Sequence, residues 1–494
     1  MLSYAVRVES NVVRDPRRWW VLVVLCLSLL VLMLDSTVLN LAIPSLIREL
    51  NATPSDIQWI LDAYVLVFAG LLLTAGSLSD RFGRRRALIT GLALFGVASL
   101  AAVLATEPWQ VVAARAAMGV GGSLLMPSTL SILMTTFAED ERRTAMAAWS
   151  TVSMVGIVAG PTLGGFLLEH YWWGSVFLLN IPVAVLAIVA ALVLMPETTG
   201  EQRPVDLVGV LLSIVALSAT VYVIIEREWN IGMIALAAVT ALAFVVWESR
   251  SAHPMLPLAV FRSRDFTGTC FTLLLMVFGM GAVMLMLTQY LQFALGYGPM
   301  KAGLALLPYA VAAAVCNGLG ATLGKTLSNK TLIVSGLLVM GAAFGILAVA
   351  SGYPGILASM LVMGIGGGLA GPAAYAAIMS AIPLEHAGVG SAMNDTLQQV
   401  GMAISIAILG SVLAGVFTSN MPEDAPDAAR ESIGAAFQLG YLEPAKEAFT
   451  AAMSTGAWIS AGFSIAAAAL GAALLRARRA ESAEQPEPAA VTNA

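Results

Sequence analysis

The sequence predicts an all-α membrane protein with fourteen transmembrane helices, built as two six-helix bundles with two further helices inserted between them. Three observations predict it. Of the 494 residues, 59% are hydrophobic and only 11% charged, with a mean hydropathy of +0.86. No soluble domain of this length hides so much apolar surface, so most of the chain must be transmembrane helix. Apolar stretches of about 20 residues, the length that crosses a bilayer, can be placed fourteen times. The second half of the chain also repeats the first at one fixed offset.

The stretches fall near residues 19–43, 57–79, 87–106, 108–133, 144–168 and 173–195, then 206–225 and 229–248, then 266–291, 301–321, 331–350, 354–380, 393–416 and 449–475. The offset groups them. Met118-Gly119-Val120-Gly121-Gly122 with Pro127 in span 4 returns 245 residues later as Met363-Gly364-Ile365-Gly366-Gly367 with Pro372. At the same offset Gly156 falls on Gly401, Gly165 on Gly410 and Leu78 on Leu323. Six spans, an inserted pair and six spans is the division this allows. The expected domains are a cytoplasmic segment (1–18), an N-terminal bundle (19–200), the inserted pair (201–250), a C-terminal bundle (251–475) with an outward loop at 418–448, and a cytoplasmic tail (476–494). Duplicated bundles of this kind place a substrate site between the halves near the midplane.

Charge orients the spans. With both termini in the cytoplasm, nineteen of the 25 Lys and Arg lie on that side; Arg48, Arg227, Lys301, Arg430 and Lys446 face out, and Arg115 falls inside a span. That bias follows the positive-inside rule of an inner or plasma membrane. The first 18 residues are too polar for a cleavable signal, so span 1 should stay uncleaved. Cys26, Cys270 and Cys316 lie within spans and read as small buried hydrophobes. The net charge of −5 and the placement of the acids in the 418–448 loop and the tail give nothing for nucleic acid to bind.

Polar residues inside spans are costly, and therefore informative. In span 1, Asp35 must be neutral, paired or beside water; it is either a proton carrier or a structural hydrogen-bonding group near the helix break at Pro44. Arg115 in span 4 cannot shed its proton and must find an anion or water; its repeat mate is Met360, so the charge belongs to one half. Asp62 near the outer end of span 2 is either a rim carboxylate or part of a cation path. Asp395 opens span 13 next to Asn394, as a helix N-cap or a cavity group. Span 5 carries Gly156, Gly160, Pro161, Gly164 and Gly165, small residues that let helices approach and a proline that interrupts the ladder. Between spans 2 and 3 runs Gly76-Ser77-Leu78-Ser79-Asp80-Arg81-Phe82-Gly83-Arg84-Arg85-Arg86, a tight basic turn. Candidate cavity residues are Met280, Met284, Gln289 and Tyr290 in span 9, Tyr309 and Asn317 in span 10, and Asn394 and Asp395. His170, His253 and His386 are scattered over loops, so no metal cluster and no nucleophile with a base is expected, which argues against a membrane enzyme.

The basic turn, the Asp35 and Arg115 segments and the Gly-Pro segment, in this order, resemble the motif set of the major facilitator superfamily, in its fourteen-span drug/proton antiporter branch. Phe177-Leu178-Leu179-Asn180-Ile181-Pro182, Gln289-Tyr290-Leu291-Gln292 and Gly390-Ser391-Ala392-Met393-Asn394-Asp395-Thr396 extend the resemblance over most of residues 19–475. It implies a monomeric secondary transporter that exports amphipathic drugs, dyes or antibiotics by alternating access. Protons would be the coupling ion, and no other cofactor is implied. Asp35 would be the proton-linked acid and Arg115 its polar neighbour; Asp62 is a candidate for proton coupling from its own place in span 2. Asp80 with Arg84 would latch the two halves on the cytoplasmic side, and Gly160-Pro161 would be the antiport hinge. The chain departs from the pattern at Trp173-Gly174-Ser175, where the family usually has Trp-Arg-Trp. It also departs in span 10, which lacks the acid carried by some exporters of dications, and this argues against a dicationic cargo. An exporter dedicated to one metabolite is the alternative reading.

Overall fold

A computed structural model describes residues 16–137, 139–199, 206–226, 230–251, 254, 261–324, 326–350, 352–380 and 387–476. Its elements are α1 (Arg18–Glu49), α2 (Pro54–Phe82), α3 (Arg84–Val103), α4 (Pro108–Thr136), α5 (Glu139–His170), α6 (Ser175–Leu178) and α7 (Asn180–Leu194). Then come α8 (Leu207–Glu226), α9 (Ile231–Arg250), α10 (Arg264–Gln289) with a π-helical extension Tyr290–Ala294, and α11 (Pro299–Leu323). The chain ends with α12 (Asn329–Ala348), α13 (Gly352–Ser380), α14 (Ala387–Asn420), α15 (Asp427–Glu431), α16 (Ile433–Gln438) and α17 (Leu442–Leu474). No strand occurs among the described residues.

Thirteen helical segments among the described residues are long and apolar enough to cross a membrane. The 32-residue α5 lies outside that set and carries Glu139, Asp140, Glu141, Arg142 and Arg143 in its first turns. A count of fourteen is compatible with this pattern. The helices overrun the apolar stretches where local chemistry starts or stops them. At the head of α2, Thr53 and Asp56 form a reciprocal capping box with Pro54 in the first turn, so the helix begins before its apolar run. The predicted sixth span is α6 and α7 in succession. Pro182 has no N–H for the carbonyl of Leu178, which breaks the ladder there, while Leu179 between them keeps helical angles.

The offset of 245 residues is visible in space. α3 and α12 have bounds that differ by that offset at both ends. Within the N-terminal half α4 packs on α2 and α3, and α1 on α5 and α7; within the C-terminal half α13 packs on α11 and α12, and α10 on α14 and α17. Backbone contacts repeat as well. A Cβ on Gly91 would stand 2.8 Å from the Gly121 carbonyl oxygen, and one on Gly336 would stand 2.7 Å from that of Gly366. One on Gly119 would meet the Tyr64 carbonyl oxygen at 2.7 Å, and one on Gly364 that of Tyr309 at 2.6 Å. Each pair of positions is related by the same offset, so small residues bring equivalent helices together in both halves.

The halves meet along two seams, α5 against α11 and α2 against α14. Contact is close at the end of the bundle opposite the basic turn. There Gly303 is tucked against the Pro161 carbonyl and Gln292 donates to the Leu41 carbonyl at 3.1 Å. Ser411 donates to Gln58 Oε1 at 3.5 Å. The inserted pair flanks the second seam. α8 packs on both α2 and α14 as well as on α9, and Ser411 donates to the Ile224 carbonyl at 2.9 Å. Only 6% of the apolar window of α9 is buried, so this helix has its sides open to lipid.

Candidate functional site

Asp35 and Arg115 form an ion pair inside the N-terminal half. Arg115 Nη1 is 2.5 Å from Asp35 Oδ2, and both side chains are 2% exposed. Arg115 Nε donates to the Ile60 carbonyl at 3.1 Å, and its guanidinium lies over the Tyr64 ring, 4.2 Å from the centroid. Tyr64 also lies close to α4, because a Cβ on Gly122 would stand 3.1 Å from its hydroxyl. Glycines at 119 and 122 thus bring α4 close enough to α2 for Arg115 to reach both the Ile60 carbonyl and the Tyr64 ring.

The second oxygen of Asp35 has its own donor. Asn180 Nδ2 donates to Asp35 Oδ1 at 3.0 Å and lies 3.3 Å from Ser99 Oγ. The network joins side chains of α1, α2, α3, α4 and α7. A buried carboxylate and a guanidinium are tolerable in this interior only because they neutralise and hydrogen-bond each other; removing either partner from such a pair costs about 3–5 kcal/mol. Pro44 plays no part: α1 runs through it, and Asp35 bonds across helices rather than to a helix break. Asn180 and Ser99 were not foreseen. Asn180 was visible only as part of the 177–182 segment that carries the resemblance, a polar residue two positions before a proline, with no role attached to it.

A cavity of about 140 Å³, lined in part by Tyr64, lies between the halves. Met33, Ser36, Tyr64, Phe68 and Met126 line it from the N-terminal half, and Asp395, Gln398 and Gln399 from the C-terminal half. Asp395 is well inside α14, which begins at Ala387, so it is not an N-cap. It accepts a hydrogen bond from the Asn394 amide at 3.0 Å. The other cavity candidates are dispersed. Tyr309 donates to Met280 Sδ at 3.3 Å inside the C-terminal half. Met284 is half-buried in the same core. Gln289 lines a small space at the far end of the seam with Gln58, Tyr290 is buried in the π-helical extension, and Asn317 lies on α11.

Asp62 is fully buried, and neither carboxylate oxygen has a hydrogen-bond partner among the described residues. It is therefore not a rim group; two helical turns of α2 separate it from Pro54. The basic turn also departs from expectation. Asp80 pairs with Arg84 at 2.7 Å within the turn itself. Arg85 donates to the Met195 carbonyl at 2.8 Å and its N–H to Glu197 Oε1 at 3.1 Å, and Arg86 lies 3.6 Å from Glu197. Among the described residues these partners all belong to the N-terminal half, so the turn is clamped onto the segment after α7. Gly83, at φ 108°, is required there: a Cβ would be strained by the backbone and would stand 2.5 Å from Glu197 Oε1. Arg81 lies over the Phe82 ring at 5.4 Å, and Gly76 faces Pro127 of α4.

In α5, Gly156, Gly160 and Gly164 face Met33, Thr37 and Val38 of α1, whereas Gly165 and the Pro161 carbonyl face Met300 and Gly303 of α11. The Gly-Pro segment thus lies between the helix that carries Asp35 and the opposite half. Among the described residues no group of His, Cys, Asp and Glu is placed to hold a metal.

Residues 25–406 and 269–492 match the family described as Major Facilitator Superfamily. The chain is 33% identical to the multidrug efflux pump LfrA of Mycolicibacterium smegmatis over 502 aligned residues, covering 95% of this chain and 99% of that protein. It is 36% identical to the puromycin resistance protein pur8 of Streptomyces alboniger, covering 83% and 85%. Its fold is similar to the crystal structure of a bacterial homolog of the human lysosomal transporter Spinster, in an inward-facing and occupied conformation. The TM-score there is 0.68 at 15% identity, with 92% of this chain and 96% of that one covered.

Proposed function

The chain belongs to the Major Facilitator Superfamily, and we propose that it is a proton-driven antiporter exporting amphipathic organic compounds such as drugs, dyes or antibiotics. It is a secondary transporter rather than an enzyme. The observation that carries the coupling mechanism is the buried Asp35–Arg115 pair, whose guanidinium stacks on Tyr64, a residue that lines the cavity between the halves. A carboxylate that can be neutralised, beside a cation that cannot, is a charge switch next to the space where cargo would sit.

The positive-inside bias puts the basic turn and both termini in the cytoplasm of an inner or plasma membrane. The close contacts between the halves at the opposite end support an inward-facing reading of this state. Cargo enters the cavity, where Tyr64, Phe68, Met33 and Met126 offer apolar surface and Asp395, Gln398 and Gln399 offer polar contacts. After the halves rock about the seams, a proton from outside neutralises Asp35, weakens its pairing with Arg115 and favours return. Asp62, fully buried and with no hydrogen-bond partner among the described residues, is a second acid on the same helix as Tyr64. The working unit is a monomer, protons are the coupling ion, and no nucleic acid is involved.

The test is purified protein in liposomes with an imposed pH gradient, acid inside, and a panel of unrelated dyes and antibiotics preloaded outside. Gradient-driven uptake of several, abolished by a protonophore, is expected. Uptake of a single compound would mean a dedicated exporter, and uptake indifferent to the gradient would overturn proton antiport.

A further inference from the structure

The two partners of Asp35 differ in what they can do when its charge changes. Arg115 has only donors and keeps its proton, so it serves the ionised carboxylate alone. The Asn180 amide carries both a donor and an acceptor. It now donates to Asp35 Oδ1 at 3.0 Å, and its nitrogen is steadied by Ser99 Oγ at 3.3 Å. Asn180 and Ser99 are 1% and 0% exposed, so no bulk water substitutes for these bonds.

Among the described residues Arg115 and Asn180 are the two side chains that hydrogen-bond Asp35. α2 presents Tyr64, stacked on Arg115, and carries Asp62, fully buried and without a hydrogen-bond partner among the described residues. α5 presents the small residues Gly156, Gly160 and Gly164 to α1. The charged residues of α10 and α11, Arg264, Asp265 and Lys301, sit in the first turns of their helices, and Asp395 lines the cavity together with Tyr64. In the C-terminal half, the positions 245 residues after Asp35, Arg115 and Ser99 are Met280, Met360 and Phe344, so the arrangement occurs once.

We propose that Asn180 is a positioning residue of the proton site. It donates to Asp35 while the acid is ionised, and turns its amide to accept from the protonated acid, so that Asp35 keeps its place as the pair with Arg115 opens. The proposal rests on Asp35 being the proton-linked acid.

Infrared difference spectra of the full-length protein in liposomes, taken as a function of pH without cargo, read the proton directly as the carboxylic acid band that Asp35→Asn removes. Asn180→Leu deletes both bonds, and the one to the ionised carboxylate is the stronger because it is charge-assisted, so the charged form loses more. The band should then persist to a pH about one unit or more higher than in wild type, and the pH profile of efflux should move with it. Asn180→Gln, which keeps the amide, should return part of that shift. Ser99→Ala, a mild change that tests the idea even if Asn180→Leu fails to fold, should give a smaller shift in the same direction. A band lost in Asp35→Asn but unmoved in both Asn180→Leu and Ser99→Ala would overturn the role of Asn180 alone. A band untouched by Asp35→Asn would overturn the assignment of Asp35 and this proposal with it.

Discussion

The N-terminal and C-terminal halves share a scaffold but not an interior. Glycines at 91, 119 and 121 and their counterparts at 336, 364 and 366 make the same backbone contacts, and Tyr64 and Tyr309 occupy equivalent places on α2 and α11. Yet Tyr64 caps an ion pair, whereas Tyr309 donates to the Met280 thioether, the mate of Asp35. The Gly-Pro element diverges too. Gly160 leaves room for Thr37, while its mate Ser405 fills that room itself, donating to the Phe278 carbonyl at 2.6 Å and accepting from the Ala282 N–H at 3.1 Å. The lesson is that helix packing is set by small residues that both halves keep, and chemistry by a few polar residues that one half adds.

That comparison can be broken most sharply at its centre. Asp35→Asn should abolish efflux driven by an imposed pH gradient in liposomes, while Met280→Leu at the mirror position should leave it within about twofold of wild type, since the swap conserves volume. Equal losses in the two variants would refute the assignment of coupling to one half. Next in size, Arg115→Ala strands a buried carboxylate and should cost about 3–5 kcal/mol of stability, read from unfolding in detergent. It should also carry the efflux optimum to higher pH, because the cation that favours ionised Asp35 is gone. Arg115→Lys keeps the charge but not the fork that reaches both Asp35 and the Ile60 carbonyl, and should fall between.

The shared scaffold predicts equality instead of contrast. Gly119→Ala and Gly364→Ala each drive a methyl to within 2.7 and 2.6 Å of a tyrosine carbonyl oxygen, so each should lose about 1–3 kcal/mol, with similar values in the same unfolding assay. A large difference between them would show that the halves pack less alike than their contacts indicate. The smallest effect is expected for Ser405→Ala, which removes one buried hydrogen-bonding hydroxyl and should cost about 1 kcal/mol with the pH profile of efflux unchanged.

Much of this was legible in the chain. Hydropathy and length placed the spans, because a bilayer demands continuous apolar helix. The glycine runs at a constant offset announced the duplication, and Asp35 and Arg115 stood out because charge inside a span must be accounted for. These signals are local: each is written in a stretch of a few turns and in the cost of leaving water.

What the sequence did not decide was partnership. That the anion facing Arg115 is Asp35, 80 residues earlier, and that Asn180 completes the site from α7, depend on how closely α1, α2, α3, α4 and α7 approach. That approach sums many weak contacts between small residues distant in the chain. The same reason explains why Asp62, near a helix end in the sequence, is fully buried. It also explains why the basic turn, whose composition alone could not choose its neighbour, binds Met195 and Glu197 of its own half. Residue types and their spacing determined that this protein crosses the membrane as two related bundles and where its costly charges lie; only the packing of those bundles decided which charges neutralise each other, because an electrostatic partner is fixed by distance in space, and distance in space is settled by side chains that carry no charge at all.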